Sequence, residues 1–268
     1  MGAQGVGASG APDPLGAMVR RRDPERYFAA LFAPAMLRPA LLALYGFAAE
    51  LARAPLVTHE PTIALIRLMW WRETVEGAAR AHEVATPLAA ALAAGRLDRD
   101  QLLAVIAAWE RAIEAPISDR AGWRAWAEGS AGGIAVAAGH LLGAPAPEAL
   151  RRLGAAEGAA RLLRARPALP GLGGCLLPAD ALAAHGVTVA DLTTGAPMAD
   201  ALRRGLAAEA LSWLPAPLPG PGRAALAAVL GMVPARRALR RAAAGRPMGV
   251  FGVGARLAML AAWGRGRV

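Results

Sequence analysis

Apolar positions along this chain recur at helical rather than strand spacing. Between Arg38 and Glu76 they define two long segments. In the first, Leu41, Leu44, Tyr45, Ala48 and Leu51 share one face at the three- and four-residue spacing of an amphipathic helix. Pro55 and Pro61 bracket a bend, because proline breaks a helix interior but suits a first turn. In the second, Ile63, Leu65, Ile66, Leu68, Met69, Trp70 and Trp71 leave almost no polar side. A helix apolar nearly all round is expected in the middle of a bundle. Arg67, Arg72, Glu73 and Glu76 would then need partners, and Arg72 and Glu76 are spaced to pair at i,i+4.

The same periodicity continues on both sides. Asp23, Pro24 and Glu25 predict a helix start: an N-cap, a first-turn proline and an acid where the helix dipole favours it. Pro34 ends or kinks that helix. Further helices are expected over Pro87 to Leu97, Arg99 to Ala115 (capped by Asp98), Arg120 to Leu142 (capped by Asp119), Ala149 to Arg166, Ala179 to His185 (closed by Gly186) and Met198 to Leu214. Three more follow, over Ala224 to Leu230, Ala235 to Ala244 and Gly252 to Trp263. Gly129, Gly132, Gly133 and Gly139 would permit close approach of a neighbouring helix. Pro167 to Gly174 reads as a loop and Pro215 to Gly222 as a turn too short to separate domains. No alternating β-branched run supports a sheet. The expected fold is all-α: one domain over residues 23–268, after a flexible tail over residues 1–22.

Charge narrows the partners. All 30 basic residues are arginine, against 20 acids, for a formal net charge of +10. Such a balance favours phospholipid head groups or diphosphates; no nucleic-acid recognition motif accompanies it. The single cysteine, Cys175, excludes an internal disulfide framework or Cys-rich metal site and reads as a small core hydrophobe. His140 reads as a hydrogen-bonded core histidine, and Glu110 with Glu114 as a solvated acidic pair rather than a metal site. The longest apolar runs, interrupted by His140 and Arg256, fall short of the ~18–20 residues of a membrane span. Met1 to Ala17 lacks the charged-then-apolar order of a secretory signal. The chain is therefore expected in the cytoplasm. The apolar segment Pro247 to Trp263 and the basic charge point to a peripheral place on the inner face of the membrane.

Several stretches resemble the squalene/phytoene synthase family, a branch of the isoprenoid synthase fold. They are Asp23 to Tyr27 with Leu31, Pro34 and Arg38; Tyr45, Phe47 and Glu50; Glu60 and Pro61 with Arg67, Trp70, Trp71 and Arg72; Gly154, Ala156 and Leu162 to Arg164; and Leu177, Pro178, Asp180, Leu182, Gly186 and Val187. The resemblance covers Asp23 to Leu192 and implies a helical cage around a central cavity. It also implies two aspartate-rich clusters holding Mg²⁺ against substrate diphosphates, because diphosphate leaves poorly unless cations offset its charge. In this chain the matching positions are Ala52, Arg53 and Leu56 in the first cluster, and Ala165 and Leu169 in the second. Glu50 and Glu157 are the acids that remain nearby.

This pattern of loss is similar to a divergent branch of the superfamily, the assembly factors of respiratory complex I. That resemblance implies a non-catalytic protein that helps complex I assemble, or that binds an isoprenoid or anionic lipid, with complex I subunits or intermediates as partners and no cofactor. An apolar cavity along the central helix pair would be lined by Arg38, Tyr45, Glu50, Arg67, Trp70, Trp71, Arg161 and Arg164. The arginines would hold an anionic head group directly, or pair with Glu50, Glu73 or Glu157. The alternative is an active head-to-head prenyl transferase that uses Mg²⁺ and farnesyl or geranylgeranyl diphosphate.

Overall fold

The computed structural model describes residues 13–165, 168–169, 172, 174–194, 197–215 and 225–268. Among them the apolar pattern resolves into fourteen α-helices: α1 Pro14–Arg22, α2 Pro24–Ala30, α3 Arg38–Arg53, α4 Pro61–Glu76, α5 Ala85–Ala93, α6 Arg99–Glu114, α7 Arg120–Ala127, α8 Gly133–Leu141, α9 Pro147–Arg164, α10 Ala179–Ala184, α11 Val189–Thr194, α12 Pro197–Ser212, α13 Met232–Ala243 and α14 Val253–Arg265. Several of the expected start signals operate. The Asp23 carboxylate accepts from the Arg26 amide, Asp98 from the Asp100 and Gln101 amides, and Asp119 from the Gly122 amide. Gly186 closes α10 at φ +58°. Within the stretch read as a loop, Ala168–Leu169 pairs antiparallel with Gly174–Cys175. Residues 216–222 of the expected turn lie outside the described residues.

The expectations for the tail and for the central helix are corrected. The tail is a packed helix from Pro14 onward: Leu15, Met18 and Val19 are buried. The bare Cα of Gly46 on α3 admits Met18 and Leu15, whose side chains would lie 3.1 and 3.2 Å from a Cβ there. Residues 1–12 lie outside the described residues. The helix at the centre is α3, not α4. Leu41, Leu44, Phe47 and Leu51 are fully buried, and α3 packs against α1, α2, α5, α6 and α8. Helix α4 turns Ala64, Leu68, Trp71, Thr74 and Val75 inward and leaves Ile63, Ile66 (62% exposed) and Met69 in solvent. Its apolar character continues past the face that its neighbours cover.

The tightest seam lies between α9 and the segment that joins α7 to α8. That segment, Glu128–Gly132, is a single wide π-helical turn. A Cβ on Gly154 would lie 2.5 Å from the Ala135 Cβ and 2.7 Å from the Ala131 carbonyl oxygen. One on Gly158 would lie 2.4 Å from the Ala131 Cβ, and one on Gly132 would lie 2.6 Å from the Arg151 carbonyl oxygen. Backbone meets backbone here, so no side chain can step aside. His140, by contrast, is exposed rather than in the core. Gly154→Ala is expected to cost about 1–3 kcal/mol through overpacking. Gly205→Ala on α12, where nothing lies within 4 Å of the added methyl, is expected to gain up to ~1 kcal/mol from helix propensity. Thermal unfolding of the two variants should therefore shift in opposite directions.

Candidate functional site

The N-terminus of α2 and the C-terminal half of α9 bring six charges together. From α2 come Asp23, Glu25 and Arg26, delivered by the tight first turn that Asp23 caps and Pro24 opens. From α9 come Glu157, Arg161 and Arg164, at the i, i+4 and i+7 positions that share one helix face. Arg161 is the hub. Its guanidinium donates to Asp23 and to Glu157, and its Nε lies 3.8 Å from Glu25 Oε2. Arg164 forks onto both oxygens of Glu25, at 2.9 Å to Oε2. Arg26 lies 3.5 Å from Glu157 and 3.8 Å from Asp23, with its guanidinium 5.4 Å above the Tyr45 ring.

Three carboxylates and three guanidiniums thus neutralise one another in a largely buried cluster. Burial opposes ionisation of Asp23. The guanidiniums of Arg161 and Arg26, with the Arg26 amide, more than offset it and hold the carboxyl below the ordinary carboxylate range. Burial also opposes the charge on Arg161, but Asp23, Glu157 and Glu25 more than offset it and raise its pKa. Burial pushes the Tyr45 phenol well above its usual value, despite the nearby Arg26. Gly231 closes the cluster from a third side. A Cβ there would lie 2.8 Å from the Glu157 carboxylate, so the backbone before α13 can reach the acid only without a side chain.

The cluster forms one wall of a cavity of roughly 1030 Å³, completed by α12 and by the turn between α13 and α14. Arg22, Arg203, Arg204 and Arg246 line its rim, and Leu163, Leu177, Leu206 and Phe251 line its apolar side. Arg22 bonds Glu50, and Arg203 bonds Asp200. Arg204 and Arg246 make no ion pair among the described residues.

The residues singled out in the sequence divide sharply. Arg161 and Arg164 line the cavity, and Tyr45 lies beneath Arg26 at the cluster's base. Glu50 is at the rim through its bond with Arg22. Arg38 is elsewhere, donating to the carbonyls of Leu31 and Ala33 at the end of α2. Arg67 points to solvent on α4. Trp70 and Trp71 do not line the cavity; they pack edge-on to each other at 4.8 Å and against His82, and Trp71 also meets Phe47. Arg72 reaches across to Glu110 on α6, at 2.6 and 3.2 Å, instead of along its own helix to Glu76. Asp23, Glu25, Arg26 and Gly231 carry the site but escaped notice as site residues. The available signal was two acids, Asp23 and Glu25, set directly between Arg22 and Arg26. Among the described residues no group of three or more His, Cys, Asp or Glu side chains is placed to hold a metal ion.

The family model for squalene/phytoene synthase matches residues 19–261. The chain belongs to the squalene/phytoene synthase family. Its fold is similar to a dehydrosqualene synthase crystallised with ligand (TM-score 0.66, 14% identity, 94% of each chain) and to squalene synthase HpnC from Alicyclobacillus acidocaldarius (TM-score 0.57, 15% identity, 94% of this chain and 92% of that one). Among curated proteins it is similar to NADH dehydrogenase (ubiquinone) complex I, assembly factor 6. Identity is 29% over 187 residues with the Mus musculus protein and 39% over 74 residues with the Homo sapiens protein. Those matches cover 65% and 28% of this chain, and 55% and 22% of the relatives' own lengths.

Because Arg161 serves three acids, its loss strands them. Arg161→Met is expected to cost about 3–5 kcal/mol, the price of leaving buried charge unpaired, as read by chemical denaturation. Asp23 adds a pH dependence. Its folded-state pKa is depressed, so its contribution is complete above the unfolded value near ~3.9 and is lost as pH falls through the folded value. Asp23→Asn should be less stable than the parent chain at neutral pH, and the gap should close as the pH drops below about 4.

Proposed function

We propose that this chain is a non-catalytic member of its family that acts in the assembly of respiratory complex I, with the cavity beside Arg161 as a binding site for an isoprenoid or anionic lipid. The observation that carries this reading is the state of the site's charges. Asp23, Glu25 and Glu157 are each bonded to a guanidinium of the chain itself. The family's reaction needs carboxylates free to grip divalent ions that in turn hold a diphosphate. The residues here do not fit that role. The positions that resemble the family's metal-binding ones are Ala52, Arg53, Leu56, Ala165 and Leu169. No acid stands at any of them, and the three acids nearby already have tethered counter-charges.

The relatives named as complex I assembly factors support the assembly half of the proposal. The binding half rests on the cavity, which pairs an apolar side with Arg204 and Arg246 on its rim. An anionic head group could seat on those two arginines without metal, its chain against Leu206 and Phe251.

Deleting the gene in its own host is the primary test. Membrane NADH oxidation should fall, and native electrophoresis should show less full-sized complex I. A normal rate with a normal-sized complex would overturn the assembly role. Separately, the purified chain incubated with Mg²⁺ and farnesyl or geranylgeranyl diphosphate should release no more diphosphate than a heat-killed sample. Release above that control would restore the enzyme reading.

A further inference from the structure

Helix α13 is two-sided. Met232, Pro234, Ala235, Ala238, Leu239 and Ala242 are buried, while Arg236, Arg237, Arg240 and Arg241 lie toward the outside. With Arg246 they line a groove of roughly 360 Å³ between α13 and α14, floored by Val233, Ala244 and Ala258. No acid lines this groove, and none of the five arginines is within ion-pairing distance of a carboxylate among the described residues. In the Arg161 cluster, by contrast, each guanidinium faces a carboxylate. Burial, and after it the neighbouring Arg240, lower the pKa of Arg236.

The adjoining helix supplies a second, independent feature. The inner face of α14 is docked: Met259 and Ala262 are buried against Ala29, Leu226 and Leu230. Its outer face is nonetheless apolar. Val253 (70% exposed), Leu257 (59%) and Leu260 (44%) follow one another at i, i+4 and i+7. Val250, at 91%, extends the stripe into the preceding turn. The helix has 13 residues, about 20 Å of rise, too short to cross a bilayer. Among the described residues no helix is long and apolar enough to do so.

A cationic groove beside an outward apolar stripe is the arrangement of an interfacial helix. We infer that the α13–α14 face rests on an anionic phospholipid surface, with lipid phosphates in the groove formed by Arg236, Arg237, Arg240, Arg241 and Arg246 and the stripe from Val250 to Leu260 lodged at the head-group boundary. The apolar stripe alone would accept many occupants. The uncompensated arginines select a surface that is both anionic and greasy. This inference does not depend on the assembly role, and it shares only Arg246 with the cavity beside Arg161.

Flotation with vesicles of two parts phosphatidylcholine to one part phosphatidylglycerol tests it. The full chain should float with these vesicles, should not float with pure phosphatidylcholine, and should bind more weakly as salt is added. Each basic residue near such a surface strengthens binding about fivefold. Arg237→Gln with Arg240→Gln, both exposed, should therefore weaken binding about 25-fold. Leu257→Ser with Leu260→Ser should remove the binding that persists at high salt. Arg99→Gln with Arg111→Gln on α6 changes the net charge equally and should leave binding near that of the parent chain. Circular dichroism confirms that each variant is folded. Absent binding, equal binding to neutral vesicles, or equal weakening by the α6 pair would overturn the inference.

Discussion

One guanidinium holds two distant parts of the chain in register. Arg161 on α9 and Asp23 at the head of α2 are separated by 138 positions in sequence, yet their bond fixes where the first helices meet the ninth. Two long-range charges in a low-dielectric setting attract strongly, but each also loses its hydration, so a lone pair there gains little. The arrangement succeeds because the bonding is shared. Asp23, Glu25 and Glu157 surround Arg161, Arg164 and Arg26 take up the remaining oxygens, and Tyr45 lies under Arg26. The wall of the neighbouring cavity inherits its shape from that network, as does the approach of the backbone at Gly231.

The fold class was legible in the sequence because it depends on periodicity and punctuation, both of which are local. Asp23, Asp98, Asp119 and Gly186 announced their own caps. What was not legible was which apolar helix would be central. Helix α4 carries more large apolar residues than its neighbours can cover, whereas α3, with alanines and a glycine between its leucines, lets other helices close in. Small residues mark the crowded centre of this bundle more faithfully than large ones. The first helix was missed for a related reason: Leu15, Met18 and Val19 sit among glycines and alanines that weaken the apparent pattern, although Gly46 offers them a seat.

The site was half legible. Arg161, Arg164 and Tyr45 could be picked out by resemblance, and Glu157 as one of the nearby acids able to pair with them. Asp23 and Glu25 have adequate local explanations, as a cap and a dipole-matched acid, and those explanations concealed their second role. Pairing across 138 positions leaves no local trace. Trp70 and Trp71 mislead in the opposite direction. Aromatic rings beside an arginine resemble a ligand shelf, but here they pack edge-on against each other and against His82.

A divalent ion held by acids comes and goes with its concentration, and with it goes whatever the ion carries. The arginine at position 161 is covalently part of its helix, so it meets its acids at an effective concentration that no free ion in a cell approaches. Aspartates placed on α3 and α9 would therefore not by themselves create an ion-dependent centre, since the resident side chain would also have to be evicted.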